Sequence, residues 1–166
     1  LELAMGRFVH RQKTTGKDLI IEVVSGLSIP LFIVPLALLS SGAMLDALNP
    51  DFQNAWSGFA PWQMFLVLLL LDDLTQYWWH RAAHSFPRLY AFHRAHHSAP
   101  YMSVRVVYRN SLIYYALMPG LWISSALVHL GFGPVFVWYA VAKMAVITGA
   151  HSSVPWDVPL LNNPYT

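Results

Sequence analysis

Phe65-Leu-Val-Leu-Leu-Leu-Leu71 runs directly into Asp72-Asp-Leu-Thr-Gln-Tyr77-Trp-Trp-His80-Arg-Ala-Ala-His84. Seven consecutive apolar residues, preceded by Pro61 at a favourable first-turn position, read as a membrane-spanning helix over about 61–79. Trp62 and Trp78 lie 16 positions apart, roughly 24 Å at ~1.5 Å per residue, and read as interface anchors at its two ends. If the helix continues past the apolar run, His80 and His84 project from one face, one turn apart. A single stretch thus joins a bilayer-crossing segment to a chelating pair.

The composition of the rest of the chain agrees. Of 166 residues, 56% are hydrophobic and only 11% charged, against roughly a quarter charged in ordinary soluble domains, which excludes both a typical water-soluble globule and a disordered chain. A formal charge of +2 is too small and too dispersed for a nucleic-acid surface. With no cysteine, disulfides and thiolate metal sites are excluded, and any metal must be held by His, Asp or Glu. Eight histidines in so apolar a chain are costly unless paired or metal-bound.

Outward from the quoted stretch, three further spans are expected, at about 19–39, 111–130 and 134–150. Pro30 and Pro35 should bend or break the first. Gly131-Phe-Gly-Pro134 should turn the last two into an antiparallel hairpin. Nine of the ten basic residues lie before the first span (Arg7, Arg11, Lys13, Lys17) or between the second and third (Arg81, Arg88, Arg94, Arg105, Arg109). The segment 40–60 has none, so both termini are expected on the cytoplasmic side. The expected architecture is a single all-α integral membrane domain of about four transmembrane helices in two hairpins, with a cytosolic helical histidine-box region. Its parts are a basic cytosolic segment 1–18, a first hairpin 19–79, a cytosolic histidine loop 80–110, a second hairpin 111–150 and a cytosolic segment 151–166.

Five histidines, His80, His84, His93, His96 and His97, fall within 18 residues, where uniform scatter of eight over the chain would place about one. His93-Arg-Ala-His96-His97 repeats the i, i+3, i+4 spacing on a short helix that Pro87 can start and Ala99-Pro100 can end. His151, at the end of the fourth span, returns to the same face, so six imidazoles converge. Neutral imidazoles suit iron, zinc, copper or nickel, and six exceed one tetrahedral zinc, which makes two metals the natural inference. Arg81 after His80 departs from the zinc-protease signature, which needs Glu there. A redox-active metal pair at the lipid boundary fits best; a non-enzymatic metal carrier or sensor using the same cluster is the alternative.

The stretch Asp73 to His84, then His93-Arg-Ala-His96-His97-Ser98, Tyr108-Arg109-Asn110 and His151-Ser-Ser resembles the integral-membrane fatty acid hydroxylase and sterol desaturase superfamily over roughly residues 66–166. The resemblance implies a membrane helix bundle capped by a cytosolic helical region with two iron ions, zinc being a possible substitute. It implies oxygen-dependent hydroxylation or desaturation of a lipid substrate (a fatty acyl chain, a sterol or a related lipid), in a bacterial inner membrane or the endoplasmic reticulum. The metal site would face the cytoplasm and draw electrons from a separate donor protein docked on the basic loop. His80, His84, His93, His96, His97 and His151 would be metal ligands. Asp73, seven residues before His80, would orient a ligand imidazole; Tyr77, Arg109 and Asn110 would support the cage or touch substrate. The family pattern continues into a further HxxHH box beyond the position of His151. Its absence before Thr166, and a start at Leu1, make the chain a fragment on this reading, with an incomplete cage.

The remaining polar residues have plainer expectations. Asp72 points elsewhere and caps or pairs with an arginine, Glu22 and Lys143 snorkel or pair between spans, His129 lies on the side opposite the cage, and His10 belongs to a solvated tail. Tyr108, with Tyr77 and Trp78, is a candidate for lining a lipid entrance.

Overall fold

The computed structural model describes residues 2–6 and 13–154, and every regular element among them is helical. Arg7, His10 and Arg11 of the expected basic segment, and residues 155–166 of the expected C-terminal segment, lie outside the described residues. The helices are α1 (Gly16–Ser28), α2 (Val34–Leu48), α3 (Pro61–Ser85), α4 (Pro87–His97), α5 (Leu112–Ala116), α6 (Pro119–Leu127) and α7 (Gly133–Ala150).

Thr15 caps α1 reciprocally: its hydroxyl accepts from the Asp18 amide, and the Asp18 carboxylate accepts from the Thr15 amide, a capping box that satisfies two otherwise orphaned donors. The break expected at Pro30 does not occur. A π turn over Ile29–Ile33, in which the Val34 amide donates to the Ile29 carbonyl, absorbs the proline that cannot donate, and Pro35 falls in the first turn of α2, where its missing N–H costs nothing. Helix therefore persists over Gly16–Leu48, 33 residues, and residues 40–48, expected in a loop, are helical.

The expected third span is interrupted instead. Pro119 forces Met118 into extended backbone (φ −68°, ψ 117°), as a residue before proline requires, and this separates α5 from α6. The turn between α6 and α7 falls where expected. Gly131 adopts φ +115°, and a Cβ there would meet the Ser57 backbone at 3.0 Å, so glycine is required on both grounds. The Asn54 and Trp56 amides donate to the His129 and Leu130 carbonyls and hold the turn.

Helices α6 and α7 both pack on α3, and α6 also packs on α2. Met64 and Leu68 of α3 meet Leu127, Phe132, Val135 and Tyr139 in the main apolar cluster. The chain thus traverses the bundle four times: α1–α2 away from the histidines, α3 back, α5–α6 away and α7 back.

Large apolar side chains cover much of the surface, while polar ones share the interior with the apolar cluster. Leu39, Leu70, Trp138 and Val146 are 66–73% exposed, whereas Ser25, Ser41, Asp72, Ser124 and Ser125 are buried. Ser41 and Ser125 hydrogen-bond each other across α2 and α6. Small polar residues between helices with large apolar ones outside is the distribution that lipid solvation favours. Two stretches, Gly16–Leu48 and Leu112–Ala150, are long and apolar enough to cross a membrane.

Candidate metal centre

Phe86 alone links α3 to α4. It ends one helix and precedes the other in extended backbone (φ −108°, ψ 119°), again because proline follows. This one-residue corner folds α4 onto α3 and brings their histidine pairs together. His80 and His84 Nε2 atoms are 3.0 Å apart, as are those of His93 and His97. Across the corner, ring centroids of His80 and His93 are 4.7 Å apart and those of His84 and His97 4.6 Å. One ligand nitrogen from each of these four histidines lies within 4.8 Å of the others. Nitrogens bound to a single ion at ~2.1 Å lie at most about 4.2 Å apart, so a small inward movement closes the set around one ion.

His96 and His151 form a second pair beside the first. His151 caps the C-terminus of α7, its Nε2 is 3.2 Å from His96 Nε2, and the His96 ring lies 5.3 Å from that of His93. All six histidines expected at the cage are therefore brought together, as a quartet and a pair.

Their supports are specific. His151 Nδ1 donates to the Ile147 carbonyl at 2.8 Å, leaving Nε2 to face the cage. The Asn110 amide lies 3.3 Å from His93 Nδ1, and the Tyr114 ring stacks on His93 at 4.6 Å and 22°. Burial, reinforced by the neighbouring imidazoles, pushes His93 down to about 3 and His96 to about 4. The same causes lower His80 and His97. Burial thus favours the neutral form of these four rings, the state a metal requires, and the converging nitrogen donor set fits one or two borderline transition metals.

Arg109 does not touch the cage directly. Its guanidinium donates to the Ala95 carbonyl at 3.0 Å, the Ser98 hydroxyl at 3.0 Å and the Asp18 carboxylate at 2.7 Å, locking the end of α4 to α1. Glu22 joins it, 3.1 Å from Arg105 and hydrogen-bonded to the Tyr101 hydroxyl. Glu2 accepts from Ser103 and from the Val104 and Ser153 amides, so the described N-terminal residues, the 101–104 segment and the end of α7 meet at the cage end.

Three residues sit differently from expectation. Asp73 is exposed, and no hydrogen bond joins it to an imidazole among the described residues. The carboxylate that turns into the bundle is Asp72, 2% exposed, which pairs with Lys143 rather than an arginine and accepts from the Tyr139 hydroxyl at 2.6 Å. Tyr77 is 54% exposed and its hydroxyl accepts from Arg81, with no bond to a cage imidazole among the described residues. His129 sits at the opposite end, 2.6 Å from Asp46 and 3.2 Å from the Asn49 carbonyl.

A cavity of about 290 Å³ opens beside the histidines and runs between α3, α6 and α7. His80, His93, His96 and His151 line the end at the cage, and Asp72 with Lys143 lines it about two helical turns further in. Tyr114 and the Asp72 group were not singled out for these roles from sequence; the signal available was an aromatic and a charged pair at positions expected in spans.

No curated protein and no solved structure matches the chain. The fatty acid hydroxylase family model matches residues 65–165, which takes in α3 through α7 and all six histidines. With that match covering more than half of its length, the chain belongs to the fatty acid hydroxylase family.

Proposed function

We propose that this chain is a membrane-bound, oxygen-dependent lipid hydroxylase or desaturase whose six histidines hold two metal ions, iron in the working enzyme. The observation that carries the reading is the opening of the histidine cage into a largely apolar cavity. A carrier or sensor needs metal ligands along a path, whereas beyond the histidines Phe136, Ala140, Met144 and Ile147 dominate the lining and its one carboxylate, Asp72, is tied to Lys143.

In this reading His80, His84, His93 and His97 hold one ion, and His96 with His151 begins a second site that further ligands complete. The metal pair, when bound, supplies the oxygen activation that side chains cannot, while the protein supplies position and exclusion of water. Asn110 and Tyr114 fix the His93 ring, the Ile147 carbonyl fixes His151, and the apolar walls keep water from the reacting carbon. The four traverses are four membrane spans, and the cage end faces the cytoplasm. Lys13, Lys17 and the described arginines gather there, whereas Asp46 and Asp51 mark the other end, as cytoplasmic retention of basic residues requires. Arg105 and Arg109 are committed to Glu22 and Asp18, so a separate electron-donor protein docks on the exposed Arg81, Arg88 and Arg94.

The test is oxygen uptake by the iron-loaded protein in lipid nanodiscs. Uptake that requires both a lipid and a reductant, and that disappears in His80→Ala, supports the oxygenase. Stoichiometric metal binding with no lipid-dependent uptake for any acyl or sterol lipid overturns it in favour of the carrier.

A further inference from the structure

The cavity wall holds a charged group that the oxygenase reading leaves unused. Asp72, Tyr139 and Lys143 stand in the middle of a bundle whose outer surface is apolar, and all three line the cavity. Charged residues at such a depth are costly and mark function more often than stability. The Asp72 Oδ2 atom accepts from Tyr139 and Lys143. Its other oxygen lies against Gly120, where a Cβ would approach Oδ1 to 2.5 Å, and accepts no hydrogen bond among the described residues. Lys143 gives one N–H to Asp72; its other two find no acceptor among the described residues, and its side chain is 20% exposed. An ammonium has three donors and a carboxylate about four acceptor positions, so the pair is only partly satisfied.

The distance to the cage is measured twice. Asp72 precedes His80 by eight residues on α3, and Lys143 precedes His151 by eight at the end of α7, about 12 Å along each helix at ~1.5 Å per residue. Gln76, Met144 and Ile147 line the interval, so the charged pair and the histidines face one cavity with mainly apolar wall between them. A net-neutral Asp–Lys pair with spare donors and a spare acceptor suits an uncharged group that both donates and accepts. A hydroxyl does so. A carboxylate would add an unpaired negative charge beside Asp72, and a bare hydrocarbon would leave the lysine donors unsatisfied.

We propose that Asp72, Lys143 and Tyr139 form a hydroxyl-recognition site in the cavity wall, selecting a lipid alcohol and fixing the carbon about 12 Å from its oxygen at the cage. Only the choice of reacting carbon rests on the oxygenase reading; recognition by the charged pair is independent of any metal.

Binding therefore tests it without turnover. Tritiated myristyl alcohol is bound to the metal-free chain in detergent, and the matching alkane and myristate compete. The alcohol should bind about tenfold or more tighter than either competitor, the range expected for hydrogen bonds to charged groups. The double variant Asp72→Asn with Lys143→Met removes the charges together, leaving neither ion buried alone; it should fold, retain alkane binding and lose the preference for alcohol. Tyr139→Phe should retain most of it. Equal binding of alcohol and alkane to the unaltered chain overturns the proposal, as does tighter binding of myristate or an undiminished preference in the double variant. If the preference is found while lipid-dependent oxygen uptake is absent, the hydroxyl site stands and the oxygenase reading falls.

Discussion

The quartet His80, His84, His93 and His97 and the pair His96 and His151 sit side by side, yet they are built differently. The quartet comes from two consecutive helices joined at Phe86, its members within 18 residues of sequence. The pair joins α4 to the end of α7, 55 positions apart, and depends on three traverses of the bundle being in register. Locally coded geometry yields four converging nitrogens; geometry coded by topology yields two. A metal ion should therefore distinguish the two subsites by affinity, the quartet filling first.

The largest expected effect breaks the quartet alone. His93→Ala removes the most buried of its ligands, together with the ring that Asn110 and Tyr114 hold. Metal content of the purified chain should fall to the residual level of the pair, and activity should fall by more than the ~10–100-fold that loss of a supporting residue costs. His96→Ala should leave the quartet's metal content unchanged while abolishing turnover. If the two variants lose metal equally, the subsites are one cooperative site and the comparison fails.

Next in size is the support of His93. Asn110→Ala deletes the only described side-chain partner of Nδ1, and metal affinity of the quartet should drop ~10–100-fold as the ring loses its preferred orientation. Titration with a chromophoric chelator in competition measures this, and Asn110→Asp, which offers an acceptor to an Nδ1 N–H in place of the amide donor, should restore much of the loss.

Acid should act on both subsites through one mechanism. His93 and His96 titrate near 3 and 4 in the folded chain against 6.5 for an ordinary histidine, burial being the main cause. Above pH 6.5 their stabilising contribution is fully present. As pH falls from 6.5 toward 4, the unfolded chain takes up protons that the folded cage refuses, and stability is lost. The melting temperature of the metal-free chain should fall steadily over that interval, and the slope should shrink in His93→Phe, which keeps a ring against Tyr114 but cannot titrate. Bound metal should raise the melting temperature at pH 7 and lose that effect toward pH 5, because protons compete for the same nitrogens.

How much of this was legible in the sequence follows the same division. The α3–α4 unit was readable because its information is local: an apolar run, two HxxxH spacings and Pro87, which dictates both the corner and the new helix. The α6–α7 turn was readable from Gly131 for the same reason. What escaped depended on neighbours. Pro30 is expected to bend or break a helix that a π turn keeps continuous, while Pro119, inside an apolar window, is not weighed as the breaker it is. Lys143 and Glu22 are expected to snorkel or to pair between spans; Lys143 pairs with Asp72 across helices and Glu22 with Arg105 and Tyr101, partners that only the packed helices name.

Asp73 and Asp72 give the smallest effect and the sharpest instance. Seven residues on a helix return to nearly the same face, so placing Asp73 beneath His80 was sound as helix geometry. Helical period does not say what covers that face one level down. There the face is open and Asp73 is exposed, while Asp72, on the adjoining face, meets Gly120, Tyr139 and Lys143. Asp73→Asn should therefore change quartet metal affinity less than twofold, and Tyr77→Phe, whose hydroxyl meets only Arg81 among the described residues, should be silent. A loss from Asp73→Asn as large as that from Asn110→Ala would mean that this carboxylate reaches a cage imidazole once metal is bound, and the heptad argument would be restored over the packing one.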